Sequence, residues 1–185
     1  MTVRGAASKF VDHRHAVTTW VVAWLTLGCG APENTAQADR SVLPFDSATV
    51  RLVTNRDTVR LSLELAQTPE QHTLGLMERR RLADSGGMLF VYSSDQPESA
   101  AFWMYRTRIP LDIAFLDSAG VVAALLTMEP CPTRLPEGCP TYPPRVRYRF
   151  AVEVNGGYFA RHRIGVGSRF LLRDTLTRGV AVPSR

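Results

Sequence analysis

Arg145-Val146-Arg147-Tyr148-Arg149-Phe150-Ala151-Val152-Glu153-Val154 is the stretch that decides the fold. Val146, Tyr148, Phe150, Val152 and Val154 alternate with Arg145, Arg147, Arg149, Ala151 and Glu153. Successive side chains of an extended chain point to opposite faces, so this period of two predicts a strand with one buried face. Asn155-Gly156-Gly157 stops it.

The same period recurs upstream. Val50, Leu52 and Thr54 alternate with Arg51 and Val53. After the Asn55-Arg56-Asp57 turn, Val59, Leu61, Leu63 and Leu65 alternate with Arg60, Ser62 and Glu64. The two runs predict a half-buried antiparallel hairpin. Gly86-Gly87 leads into a buried strand over residues 88–92, followed by a loop over 93–97. Further strands are predicted over 101–104, 111–116, 121–127 and 169–172, with Asp117-Ser118-Ala119-Gly120 as a hairpin turn. Residues 129–144 hold six prolines and two cysteines and read as an irregular loop.

Two helices interrupt the strands. Thr68-Pro69-Glu70-Gln71 supplies an N-cap, a proline at the first helical position and a glutamine that completes a capping box. A helix of two to three turns, ending near Met77, should follow. Gly75 inside it marks either close packing or an early end. A second short helix is expected over 158–163. Short strands without long crossover helices predict a mainly β (β-rich α+β) domain, an antiparallel sandwich, jelly-roll-like or barrel-like.

The ends of the chain are read differently. In residues 1–28, Arg4, Lys9 and Arg14 precede an apolar run from Ala16 to Leu27, too short to suit a bilayer span but fitting an export signal. Gly28-Cys29 resembles a lipoprotein site, with Cys29 as the lipidated residue. Ordinary secretion and an uncleaved anchor are the alternatives. Residues 29–46 are small and polar, a flexible tether. Residues 47–185 form one domain, large enough to bury a core. The expected address is the cell envelope or periplasm, with membrane attachment through the lipid at Cys29.

The chain carries a net charge of +5. Without residues 1–28 it has nineteen Lys and Arg against sixteen Asp and Glu, or +3. That charge is too small and too dispersed for a nucleic-acid partner. Arg79-Arg80-Arg81 is the only tight basic run and reads as a solvated turn. Cys131 and Cys139 remain once Cys29 is assigned to lipid, and a structural disulfide suits an oxidising compartment. Their spacing is too long for a zinc knuckle, and no C-x-x-C redox pair is present. No nucleophile elbow, phosphate loop, dinucleotide fingerprint or metal motif occurs, so no cofactor and no metal are expected.

Asp112 stands in the apolar run Pro110-Leu111-Asp112-Ile113-Ala114-Phe115-Leu116. A buried carboxylate needs a partner or has a job. Glu153 ends the strand that opened this section. Each carboxylate either pairs with an arginine (Arg79, Arg80, Arg106 or Arg108) or caps backbone amides, or else the two form a ligand site with Trp103, Met104 and Tyr142. Phe102-Trp103-Met104 is read as core filling or as a platform. If Phe102 and Met104 point inward, Trp103 points outward. His72 and His162 lie beside polar residues and are expected to be exposed.

Several blocks together resemble one family. They are Thr68-Pro69-Glu70 with Gly75-Leu76-Met77, Gly87-Met88-Leu89-Phe90, Phe102-Trp103-Met104 with Pro110-Leu111-Asp112-Ile113, Cys139-Pro140-Thr141-Tyr142, and Glu153-Val154-Asn155 and Gly157 with Gly165-Val166-Gly167. This pattern is similar to that of the bacterial and archaeal domain-of-unknown-function family numbered 192. The resemblance implies a compact antiparallel β fold of jelly-roll or sandwich type, often exported, and no known reaction. Tyr105-Arg106 stands where the family usually has Lys-Asn, and Arg108 where it has an aliphatic residue.

The function expected from these readings is recognition of an unknown small molecule or of an envelope protein. The candidate ligand site is Trp103, Arg106, Asp112, Tyr142 and Glu153, with no catalytic residue assigned. One alternative is a hydrolase of envelope glycans with Asp112 and Glu153 as its carboxylate pair. The other is a structural accessory protein with no small-molecule site.

Overall fold

The computed structural model describes residues 43–133 and 135–172. The expected export signal, Cys29, most of the tether and the C-terminal tail from Asp174 lie outside the described residues. In chain order the elements are β1 (Asp46–Val53), β2 (Thr58–Ala66), α1 (Pro69–Leu74), β3 (Gly86–Gln96), β4 (Phe102–Trp103), β5 (Leu111–Leu116) and β6 (Val122–Met128). A short 3-10 turn (Pro136–Gly138) follows, then β7 (Thr141–Tyr142), β8 (Tyr148–Asn155), α2 (Tyr158–Arg161) and β9 (Arg169–Leu171).

Seven strands form one sheet in the order β6-β5-β8-β3-β2-β1-β9. The sheet curls, and its two edges meet at one corner. There Val122 N–H donates to the Ser168 carbonyl (2.9 Å) and Phe170 N–H to the Gly120 carbonyl (2.8 Å). The result is a half-barrel, which leaves less strand edge open than a flat sheet. β4 and β7 pair separately as a short antiparallel ribbon.

The mainly β architecture with two short helices is the expected one, with local differences. β1 and β2 form the expected hairpin. β2 and β3, however, run parallel, joined through α1, so one parallel pair sits in an otherwise antiparallel sheet. A parallel neighbour needs a crossover connection, and α1 supplies it. β3 runs to Gln96, through residues read as a loop, because it re-pairs with β8 beyond a register shift between Val91 and Gln96. Domain packing also starts earlier than expected, since Phe45 packs on the core and Gln71 donates to the Pro44 carbonyl (2.8 Å).

Helix α1 shows the full capping box. Gln71 N–H donates to the Thr68 hydroxyl (3.3 Å), and the Gln71 side-chain oxygen accepts from Thr68 N–H (3.1 Å). It ends at Leu74, before Met77. Gly75 takes φ +46° and ψ −136°, and its N–H closes on the Gln71 carbonyl (2.9 Å). Positive φ at this position favours glycine and ends the helix there.

Both faces of the sheet are covered. One face packs Leu52, Leu61, Leu63, Val152 and Phe170 under α2. The other packs Met88, Phe90, Met104, Ile113 and Phe115 beneath Leu76 and the β4–β7 ribbon. β5 lies between the two layers and is buried at every position, as expected for a strand covered on both sides.

Candidate functional site

Register separates the two carboxylates that the sequence singled out. Residues directly opposite on paired strands share a face. Glu153 faces Ile113 of β5 and Met88 of β3. Asp112 faces Val154 of β8 and Thr127 of β6. Asp112 and Ile113 are successive residues, so the carboxylates project from opposite sides of the sheet.

Asp112 is 3% exposed and fully partnered. Its Oδ1 accepts from the Thr127 hydroxyl (2.9 Å) and its Oδ2 from Phe159 N–H in the first turn of α2 (3.0 Å). A helix start leaves N–H groups without intrahelical partners, and Asp112 satisfies one of them. Capping is one of the roles expected of this residue. It shares no ligand site with Glu153.

Glu153 is 4% exposed, and among the described residues no group donates to its carboxyl group. No buried side-chain oxygen in the described residues is both sealed and unpartnered, so the Glu153 oxygens open on a cavity. Burial pushes its pKa up to about 8, which leaves the group protonated at neutral pH. Three of the four expected arginine partners are engaged elsewhere. Arg79 pairs with Glu64 (2.7 Å), and Arg106 and Arg108 both pair with Glu78.

The cavity is a cleft of about 220 Å³ between the C-terminal end of α1 and the β4 strand. His72, Phe90, Tyr92, Trp103, Tyr148 and Glu153 are among its lining residues. Trp103 is 42% exposed beside buried Met104, as the alternation required, and lies 5.1 Å from the Tyr105 ring. The Tyr148 hydroxyl donates to the Ala100 carbonyl (3.1 Å). Burial raises the Tyr92 phenol well above its usual range, and nearby Tyr148 and the Glu153 carboxylate add to that rise. His72 is half-buried, not exposed. Its Nε2 lies 3.0 Å from the Ala66 carbonyl, so Nε2 carries the proton, and its ring sits 4.5 Å from Tyr92.

Of the five candidate residues, Trp103 and Glu153 therefore line one cleft and the other three lie apart. Arg106 is an exposed partner of Glu78, at positive φ (+56°). Tyr142 pairs with Phe102 across the ribbon and accepts Glu129 N–H on its hydroxyl (3.1 Å). Cys131 and Cys139 form the expected disulfide, with Cα atoms 5.8 Å apart. His72, Tyr92 and Tyr148 went unrecognised as cleft residues. Tyr92 carries one sequence signal, a polar-tipped ring on the same strand face as Met88 and Phe90. A second, larger concavity of about 610 Å³ carries Arg56, Arg161, His162 and Arg163, all exposed.

Comparison with known proteins agrees with this fold. A crystal structure from Sinorhizobium meliloti 1021, provisionally described as a transcription regulator, superposes with a TM-score of 0.61 at 30% identity. The match covers 70% of this chain and 96% of that one. A protein of unknown function from Novosphingobium aromaticivorans DSM 12444 superposes with a TM-score of 0.60 at 29% identity, over 70% of this chain and 87% of its own. Among curated proteins none matches. The family model DUF192, described as an uncharacterized ACR, matches residues 51–172, from β1 to the end of β9. The chain therefore belongs to the DUF192 family.

Proposed function

We propose that this protein is a small-ligand-binding β module, exported and held at the cell envelope by lipid at Cys29, and that its ligand seats in the cleft over Glu153. One observation carries the binding reading: a carboxyl group that is 4% exposed, without a hydrogen-bond donor among the described residues, opens into a ring-lined cleft. Desolvating such a group costs stability unless something is gained from it. The cleft is of a size to hold a small molecule or one part of a larger one. Recognition is favoured over hydrolysis, because the two carboxylates stand on opposite faces and cannot flank one glycosidic bond.

The envelope reading is supported by residues 1–29 and by the Cys131–Cys139 disulfide, which suits an oxidising compartment. Two or three acyl chains would hold the protein firmly without a spanning helix.

Two experiments test these readings. An NMR titration of the full chain against sugars, nucleotides, amines and organic acids should move signals from Trp103 and the residues around Glu153. A ligand that moves signals only elsewhere overturns the site. Cys29→Ala should release the protein from the membrane fraction, and wild-type membrane retention of that variant overturns lipidation.

A further inference from the structure

The lining of the cleft has a consistent polarity. Its rings come from four elements: His72 from α1, Phe90 and Tyr92 from β3, Phe102 and Trp103 from β4 and Tyr148 from β8. Aromatic faces carry negative potential and attract cations. The C-terminal end of α1 also borders the cleft, and helix C-termini present carbonyl groups. The single carboxyl group lining the space is that of Glu153. Among the described residues no arginine lines it, and Arg79, Arg106 and Arg108 are paired with Glu64 and Glu78. An anion would find no complementary charge in this cleft. A neutral ligand would leave its polarity unused.

We propose that the cleft binds a small organic ammonium cation, seated among these rings with the Glu153 carboxylate as its counter-ion. This rests on the reading that the cleft is the ligand site, and adds the class of ligand. A volume of about 220 Å³ exceeds the roughly 150 Å³ cavity that holds benzene, so a tetramethylammonium-sized group fits.

Burial keeps Glu153 protonated at neutral pH. An arriving cation restores the charged form, and the proton leaves to solvent. The other titratable groups facing the carboxyl group are His72, Tyr92 and Tyr148. Its neighbours across the strands, Met88 and Ile113, are apolar. Both phenols are raised by burial and stay neutral.

Calorimetry and NMR on the full chain test the proposal, with choline and tetramethylammonium as probes. The controls are the uncharged isostere of choline, in which carbon replaces nitrogen, and a carboxylate of similar shape. Choline should bind at least tenfold more tightly than its isostere. Its affinity should rise about tenfold per pH unit below pH 8 and level off above it. Heats in buffers of different ionisation enthalpy should report close to one proton released at pH 7. Glu153→Gln should abolish the preference for the cation. Trp103→Ala, at a half-exposed position that leaves the core intact, should weaken binding independently of any folding effect of the first variant.

The same ammonium group could be free or carried on a lipid headgroup. Phosphatidylcholine vesicles run beside free choline separate the sources, and binding in either arm with the Glu153 dependence supports the proposal. If the isostere or the carboxylate shifts cleft signals as strongly as choline, the cation class is overturned while the cleft remains a binding site. If no probe of any charge moves a cleft signal, both readings fall.

Discussion

Asp112 and Glu153 sit one register step apart on neighbouring strands, and their surroundings give them different chemistry. Asp112 meets a hydroxyl and a helix N–H. Its removal leaves one buried donor, the Phe159 N–H, unmatched, at about 1–3 kcal/mol, while the exposed Thr127 hydroxyl can turn to water. Asp112→Ala should therefore lower unfolding stability by about 1–3 kcal/mol in urea titrations, and leave choline binding by the remaining folded protein unchanged. Glu153 meets rings and space. Its folded pKa of about 8 lies above the ordinary glutamate value of 4.5, so between those values the native state holds a proton that the unfolded state has lost. Stability then falls as pH rises through that window, by up to ~5 kcal/mol at its upper end. Glu153→Gln removes this slope. Thermal unfolding should show the variant and wild type close together at pH 5, and the variant higher by roughly 10 °C at pH 9. A constant difference across the range would contradict a protonated Glu153.

At the scale of elements, the legible parts are those whose chemistry is local. The capping box before α1 involves residues within three positions of one another, and it forms as read. Thr68→Ala should cost about 1 kcal/mol, visible as a lowered urea midpoint. β5 matches its expected span, because a run of apolar residues between a proline and a turn leaves no other choice. The elements that differ depend on distant partners. β3 continues through Ser93 and Ser94 because β8 re-pairs beyond the bulge, and no pattern in those residues announces it. Gly87 shows a related dependence. A Cβ there would stand 2.1 Å from the Glu153 carbonyl oxygen, so its lack of a side chain answers a strand sixty-six positions away. The cleft gathers His72, Tyr92, Trp103 and Tyr148 from four elements by the same long-range pairing.

For the molecule as a whole, two layers pack against one sheet whose edges meet at a corner. Covering both faces explains why Glu153, read as lying opposite the apolar face of its strand, is buried. The opposite side of β8 is a second core. The loop that carries β7 is held by the Cys131–Cys139 disulfide and by Cys131 N–H donating to the Thr107 carbonyl (3.0 Å). By the chain-entropy relation, closing so short a loop contributes about 2.5 kcal/mol. Replacing both cysteines with serine should lower stability by about that amount, measured by calorimetry, with the β sheet retained in circular dichroism. Loss of all folded signal would mean that the disulfide is needed to form the sheet itself.

The sequence alone determined the mainly β class, the β1–β2 hairpin, the capped helix and the family blocks. Each follows from periodicity or from contacts between near neighbours, which a one-dimensional reading contains. Tertiary structure alone decided that β2 and β3 run parallel, that Asp112 and Glu153 part to opposite faces, and that a carboxyl group without a donor among the described residues lies among rings gathered from four elements. Those outcomes depend on which strands pair and in what register. A one-residue slip would turn every side chain of β8 to the other face, and with it the floor of the cleft.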